Sequence, residues 1–171
     1  MTDKKRSFFD EDVGKSFIEA VQQTFGGYFS EPVNLVAPRL FENSEVVYDI
    51  GGLMKFDSHE VEGSMIVAFE KDFLLKVYEH MLGENPGAIT SDVEDAVGEL
   101  TNIVYGVAKA HLVNKGYQFP MSRPQISRDI NQFLVQNAKC LELPFRLQIG
   151  KDKQLALLLV VNRLKQDRVA G

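Results

Sequence analysis

The sequence has a single cysteine, Cys140, in 171 residues, so no intrachain disulfide can form and a reducing compartment suits the chain. Long apolar runs are missing too. The longest, Leu155 to Val161, has seven residues, against the roughly 20 that a membrane-spanning helix needs. Positive charge is scarce: 19 Lys and Arg stand against 24 Asp and Glu, a net charge of −5. With no basic run, this argues against nucleic acid or an anionic membrane as the main partner. The opening MTDKKRSFFDEDV lacks the apolar core of a signal peptide. His59, His80 and His111 show no metal-ligand spacing. There is no Gly-rich phosphate loop, no CxxC and no defensible Ser–His–Asp order. These absences together lead to the expectation of a cytoplasmic protein.

What is present is a globular composition: 44% hydrophobic and 25% charged, in a length that fits one domain with a sizeable core. The reading is a flexible N-terminus over 1–11, one domain over 12–166 and a flexible end over 167–171.

The chain is organised around Ser91 to Gly116, which reads as a helix of about seven turns. Ser91 with Glu94 three positions on forms a capping-box pair, and Gly116 can take the left-handed conformation of a helix stop. Val93, Val97, Leu100, Val104, Val107, Ala108 and His111 make the core face. Opposite lie Asp95, Glu99, Asn102 and Gly106, within about 60° of one another at roughly 100° per residue. This polar face is bare: Gly98 flanks it and Gly106 lies on it. Glycine inside a helix costs about 0.5–1 kcal/mol against alanine. Either something approaches the backbone closely, or the glycines relieve packing against a neighbouring element.

Elsewhere, Val13, Phe17, Val21 and Phe25 recur every four residues and predict a first helix. Val33 to Ala37 is a short strand before Pro38. Glu45 to Phe56 reads as a strand with a bulge or bend at Gly51-Gly52, Asp57 to His59 as a turn, and Val61 to Phe69 as its partner. Lys71 to Leu82 is a second helix stopped by Gly83. Ile126 to Asn137 has no clear pattern. Cys140 to Ile149 is a strand, Gly150 to Lys153 a hairpin turn, and Leu155 to Leu164 a closing strand. LALLLVV has no polar alternation, so that strand should be covered on both faces. A weak repeat runs through the chain: sliding by 86 residues puts Pro38 on Pro124, Val13 on Glu99 and Ser16 on Asn102. On that register the polar pair exists in the second half only.

The stretch Asp95-Ala-Val-Gly-Glu99-Leu-Thr-Asn102, with Pro124 after 21 intervening residues, resembles the motif of the CheC/CheX/FliY phosphatases of bacterial chemotaxis. That motif is an acidic residue or Ser, three residues, Glu, two residues, Asn, and a Pro some 22 residues on. EGSMIVAF before a helix ending MLGE, and GELTNIVYGVAKAHL, look most like CheX; the likeness covers roughly Val13 to Lys165. The resemblance implies an α/β (α+β) fold, a long antiparallel sheet backed by helices in two pseudo-repeated halves. It also implies a homodimer with sheets joined or strands exchanged at an edge.

The substrate implied is a phosphorylated CheY-type receiver domain, which holds an aspartyl phosphate and a Mg²⁺ ion. Its hydrolysis passes a loose transition state, so aligning a water is the main task. The Asn102 amide can accept from the water and donate to a phosphoryl oxygen. The resemblance gives Glu99 an ion pair with the receiver's active-site lysine. Asp95 sits in the first turn, where the helix dipole favours a carboxylate anyway. Gly98, Gly106 and Pro124 are the supporting positions. Two oxygen ligands from Glu99 and Asn102 are too few for a Mg²⁺ cage, so the expectation is no cofactor on this chain and Mg²⁺ on the receiver. Three function classes follow: a phosphatase for a phosphorylated receiver, a non-catalytic adaptor of the same fold binding a receiver or flagellar switch component, and a generic dimerising α/β module.

Overall fold

The computed structural model describes residues 11–29, 31–42, 46–57, 61–120, 122–134, 138–147 and 154–164. The expected flexible ends (Glu11 apart), the Ser58-His59 turn, the Glu45 strand start, the end of the strand predicted to Ile149 and the Gly150–Lys153 turn lie outside these residues.

Helix α1 (Glu11–Gly26) follows its four-residue repeat, with Val13, Phe17, Val21 and Phe25 all buried. Helix α2 (Lys71–Leu82) buries Phe73, Leu74, Leu75, Val77 and Tyr78 and stops where Gly83 turns left-handed at φ 81°. Helix α3 (Ser91–Leu112) continues as one 3-10 turn, Val113–Lys115, to Gly116 at φ 87°. Its cap differs from the expected Ser91–Glu94 box. Thr90 is the N-cap: its hydroxyl accepts from the Val93 N–H at 3.3 Å. Ser91 is already helical, and the Glu94 carboxylate bonds Arg128 instead. The buried face of α3 also takes in Ala96, Thr101, Tyr105 and Leu112, whereas His111 is exposed and Val107 only half-buried.

The strands are β1 (Asn34–Leu35), β2 (Arg39–Phe41), β3 (Ile50–Asp57), β4 (Val61–Phe69), β5 (Gln125–Ser127), β6 (Lys139–Arg146) and β7 (Leu155–Leu164). They form one antiparallel sheet in the order β1-β6-β7-β4-β3-β5, with β2 beside β1 on β6. Residues 126–137, unpatterned in sequence, hold most of β5 and a 3-10 turn, Ile130–Phe133. β7 is central, as its unbroken apolar run requires. Leu155, Leu157, Leu159 and Val161 pack on the helix side; Ala156, Leu158 and Val160 pack on the other, under Val46 and Ile130.

Gly51-Gly52 is no bulge. Register runs straight through it, Gly51 against Ala68 and Gly52 against Val67. The glycine is needed for close approach: a Cβ on Gly52 would collide with the Thr101 side chain. Helix α3 therefore rests directly on β3. The register shift falls instead between Glu62 and Gly63, where β7 carries the extra residue Asn162.

The two halves do repeat, with exchanged partners. β2 follows Pro38 and pairs with β6; β5 follows Pro124 and pairs with β3. The slide of 86 residues is right for these strands and wrong for the helices. It sets buried Val13 and Ser16 on exposed Glu99 and Asn102. A slide of 80 matches the buried positions of α1 with those of α3 through Phe25 and Tyr105, which puts Glu19 on Glu99 and Gln22 on Asn102. The first half thus has a polar pair of its own, but the Gln22 amide donates to the Val33 carbonyl at 3.3 Å, tying α1 to the chain before β1.

Candidate functional site

Because α3 buries Val97, Leu100, Thr101 and Val104 against the sheet, its other side must face solvent. Asp95, Glu99, Asn102 and Gly106 are all exposed there, and Gly98 is half-exposed. Glu99 and Asn102 stand one turn apart. Facing them is the segment that enters β5. Glu94, Asp95, Gly98, Glu99 and Asn102 from the helix, with Arg123, Pro124 and Ile126 from that segment, enclose an open cavity of about 530 Å³. Five of the six positions singled out in the sequence thus share one cavity. The sixth, Gly106, lines the next one.

Pairing of Gln125–Ser127 with Gly51–Leu53 seats Pro124 opposite the helix. At the helix N-terminus, Arg128 donates to Glu94 Oε1 at 2.8 Å and to the Ile89 carbonyl at 2.6 Å. Both charged groups are partly solvated, so this pair contributes about 1 kcal/mol or less; it fixes the far end of β5 to α3. The glycines now separate. A Cβ on Gly98 would make an ordinary contact with Ile126 Cδ1 at 3.7 Å, and one on Gly106 would meet nothing within 4 Å. Gly106 therefore relieves no crowding among the described residues, and it is exposed on the helix.

The second cavity, about 460 Å³, adjoins the first at Asn102 and Arg123 and is lined by Met54, Tyr105, Gly106, Lys109, Phe119, Pro120 and Ser122 as well. Its wall is held by Tyr105, whose hydroxyl lies 2.9 Å from the Lys55 carbonyl and 3.1 Å from that of Pro120. One proton serves one acceptor at a time. Burial pushes the Tyr105 phenol up from 10.0 to about 12. Its ring meets Phe119 edge-on at 5.1 Å.

Sequence reading missed Arg123, Tyr105 and this second cavity. The available signal was the Tyr117-Gln118-Phe119-Pro120 cluster together with the arginine next to Pro124. No group of three or more His, Cys, Asp or Glu suited to a metal occurs among the described residues, and no described helix is long and apolar enough to cross a membrane. His80 packs against Phe29 at 5.0 Å; His59 is outside the described residues.

Against known proteins, the family described as Chemotaxis phosphatase CheX matches residues 50–146, more than half the chain. This chain belongs to the CheX family. Solved structures agree with the fold. A CheC-like superfamily protein from Shewanella sp. PV-4 is 25% identical, with a TM-score of 0.73 over 90% of this chain and 98% of its own. The chemotaxis protein CheX from Vibrio vulnificus is 23% identical, with a TM-score of 0.69 over 88% and 98%. CheX from Borrelia burgdorferi, solved as a CheX–CheY–BeF₃–Mg²⁺ complex, is 18% identical, with a TM-score of 0.71 over 90% and 100%. No curated protein sequence matches significantly. Within the CheX fold, the match spans β3 to β6 and so contains α3 and both walls of the cavity.

Proposed function

We propose that this protein hydrolyses the aspartyl phosphate of a CheY-type receiver domain. Asn102 aligns the attacking water and Glu99 docks the receiver through its active-site lysine. The observation that supports this is the exposed Glu99–Asn102 pair on one helix face, lining an open cavity together with Gly98, with Gly106 in the cavity next to it. A relative of the same fold has been solved with CheY, which supports a receiver as the partner. In this reading Mg²⁺ belongs to the receiver, while Asn102 positions the water and Glu99 the partner.

The chemistry asks for little else. An amide oxygen accepting from the water and an amide N–H donating to a phosphoryl oxygen hold the nucleophile in line. Glu99 has little to do as a base, because a loose transition state develops little demand for proton removal. The decisive experiment measures phosphate loss from phosphorylated CheY-type receivers with and without this protein. Acceleration that disappears in Asn102→Ala is the expected result. Unchanged phosphate lifetimes, with binding intact, would favour the non-catalytic adaptor.

A further inference from the structure

Asn102 and Arg123 are the two side chains that line both cavities. Arg123 is exposed, and among the described residues it makes no hydrogen bond or ion pair. Asp95 and Glu99 share its cavity, yet neither holds it. Nearby Arg128 is the contrast: its guanidinium is tied to Glu94 and to the Ile89 carbonyl. Arg128 is structural, whereas Arg123 has no partner among the described residues.

The backbone carrying Arg123 is nonetheless fixed. Three residues before it, the Pro120 carbonyl lies within hydrogen-bond distance of the Tyr105 hydroxyl. Directly after it, Pro124 leads into β5, which is paired along β3. The guanidinium therefore hangs from an anchored segment beside the residue asked to align the water.

We propose that Arg123 is a further catalytic residue, contacting the phosphoryl oxygens of the receiver's aspartyl phosphate; this rests on the receiver reading above. In the reaction, the water oxygen bonds to phosphorus while the bond from phosphorus to the aspartyl oxygen breaks. The electron pair of that bond stays on the carboxylate. Both water protons leave on the product as dihydrogen phosphate, so one dianion becomes two monoanions. In the loose transition state, negative charge spreads over the three equatorial oxygens. A guanidinium offers five donors in a rigid fork suited to two such oxygens at once. Lys109 lines only the second cavity, so among these cations Arg123 alone is shared with the Glu99 side.

The test uses a CheY-type receiver on which the wild-type chain is active, and measures phosphate release against protein concentration for wild type, Asn102→Ala, Arg123→Ala and Arg123→Lys. Arg123→Ala should lower kcat roughly 10- to 100-fold, the range for losing a charged hydrogen bond, with KM little changed. Arg123→Lys should fall between. Millimolar guanidinium should restore part of the kcat of Arg123→Ala and leave Asn102→Ala unchanged. A structural role would not respond to the added ion. A normal kcat in Arg123→Ala, or a change confined to KM, overturns the proposal while leaving the phosphatase reading intact. Failure of the wild-type chain on every receiver tried would strike that reading instead. Thermal melts accompany each variant; if the alanine variant is destabilised, the comparison of Arg123→Lys with wild type still decides.

Discussion

Asn102 and Glu99 share a helix face and are asked for different things, so they should fail differently. Asn102 acts on the water, an interaction made mainly in the transition state. Asn102→Ala should cut kcat by about 10²-fold or more with little change in KM. Glu99 holds the partner, so Glu99→Ala should raise KM as well as lower the rate, and its effect should shrink with added salt. Both side chains are exposed, and melting temperatures should stay near wild type. Phosphate release and melts on the two variants check this, and near-normal turnover in Asn102→Ala would remove the mechanism. Tyr105 belongs to the same scale. Its phenol is raised from 10.0 to about 12 by burial. A neutral form favoured in the fold contributes stability that is fully present below pH 10 and is lost as pH rises towards 12. Tyr105→Phe should cost roughly 1 kcal/mol at neutral pH through the lost hydroxyl bond. The gap between wild type and variant should close across pH 10–12, read by urea unfolding at each pH. A constant gap would mean the hydroxyl does not titrate as its surroundings demand. Cys140 is buried and its thiol is likewise pushed up to about 12, first by burial and then by the charge of Glu142, so a thiol reagent at pH 8 should label it only after unfolding.

The contact that sets the depth of α3 is Gly52 against Thr101. Gly52→Ala should destabilise by roughly 1–3 kcal/mol, the usual cost of overpacking. Combining it with Thr101→Ala should cost less than the sum of the two single changes, because the second removes what the new Cβ strikes. Strict additivity in chemical denaturation would show that the helix sits elsewhere. The same pair shows what was legible in the sequence. α2, β4 and β7 were readable to the residue because their burial is periodic or unbroken over many positions. Gly51-Gly52 was read as a bulge because sequence cannot tell a bend from a close approach by an element 50 residues away. Thr90 and Ser91 are adjacent hydroxyl residues, and only geometry decides which one caps. β2 and β5 have three residues each and exist because the opposite half pairs with them, so no local pattern announces them. That exchange also hid the 80-residue helix register behind the 86-residue strand register. For the candidate site, Glu99 and Asn102 stood out as a short-chained stripe on a bare helix face. Arg123 and Tyr105 did not, since their wall is assembled by the Asp57–Gln118 bridge and the β3–β5 pairing.

At the scale of the whole molecule, the two sheet edges differ in what they expose, and that bears on how two copies could join. The outer side of β3 is covered in part. β5 pairs with Gly51–Leu53, the Tyr105 hydroxyl reaches the Lys55 carbonyl, and Asp57 and Gln118 exchange backbone hydrogen bonds. Beyond β3 the edge strand is β5, three residues long. The opposite edge is built from β1 and β2, two and three residues long, with a gap between them. Pro144 of β6 lies opposite this gap, where Val36 donates to its carbonyl at 2.7 Å. Leu40 of β2 is 60% exposed, an apolar side chain on a short edge strand. The homodimer that the family resemblance implies is expected to use the β1–β2 edge, where this apolar side chain is bare. Sedimentation at micromolar concentration should give the dimer mass. Leu40→Lys should shift it towards monomer without lowering helix and strand content by circular dichroism, since that side chain packs on little in its own chain. Asn102 and Glu99 lie beside β5, at the other end of the sheet, so the monomeric variant should retain its activity on a phosphorylated receiver. Only monomer in the wild-type chain would remove the dimer, and a dimer unmoved by Leu40→Lys would move the interface away from this edge.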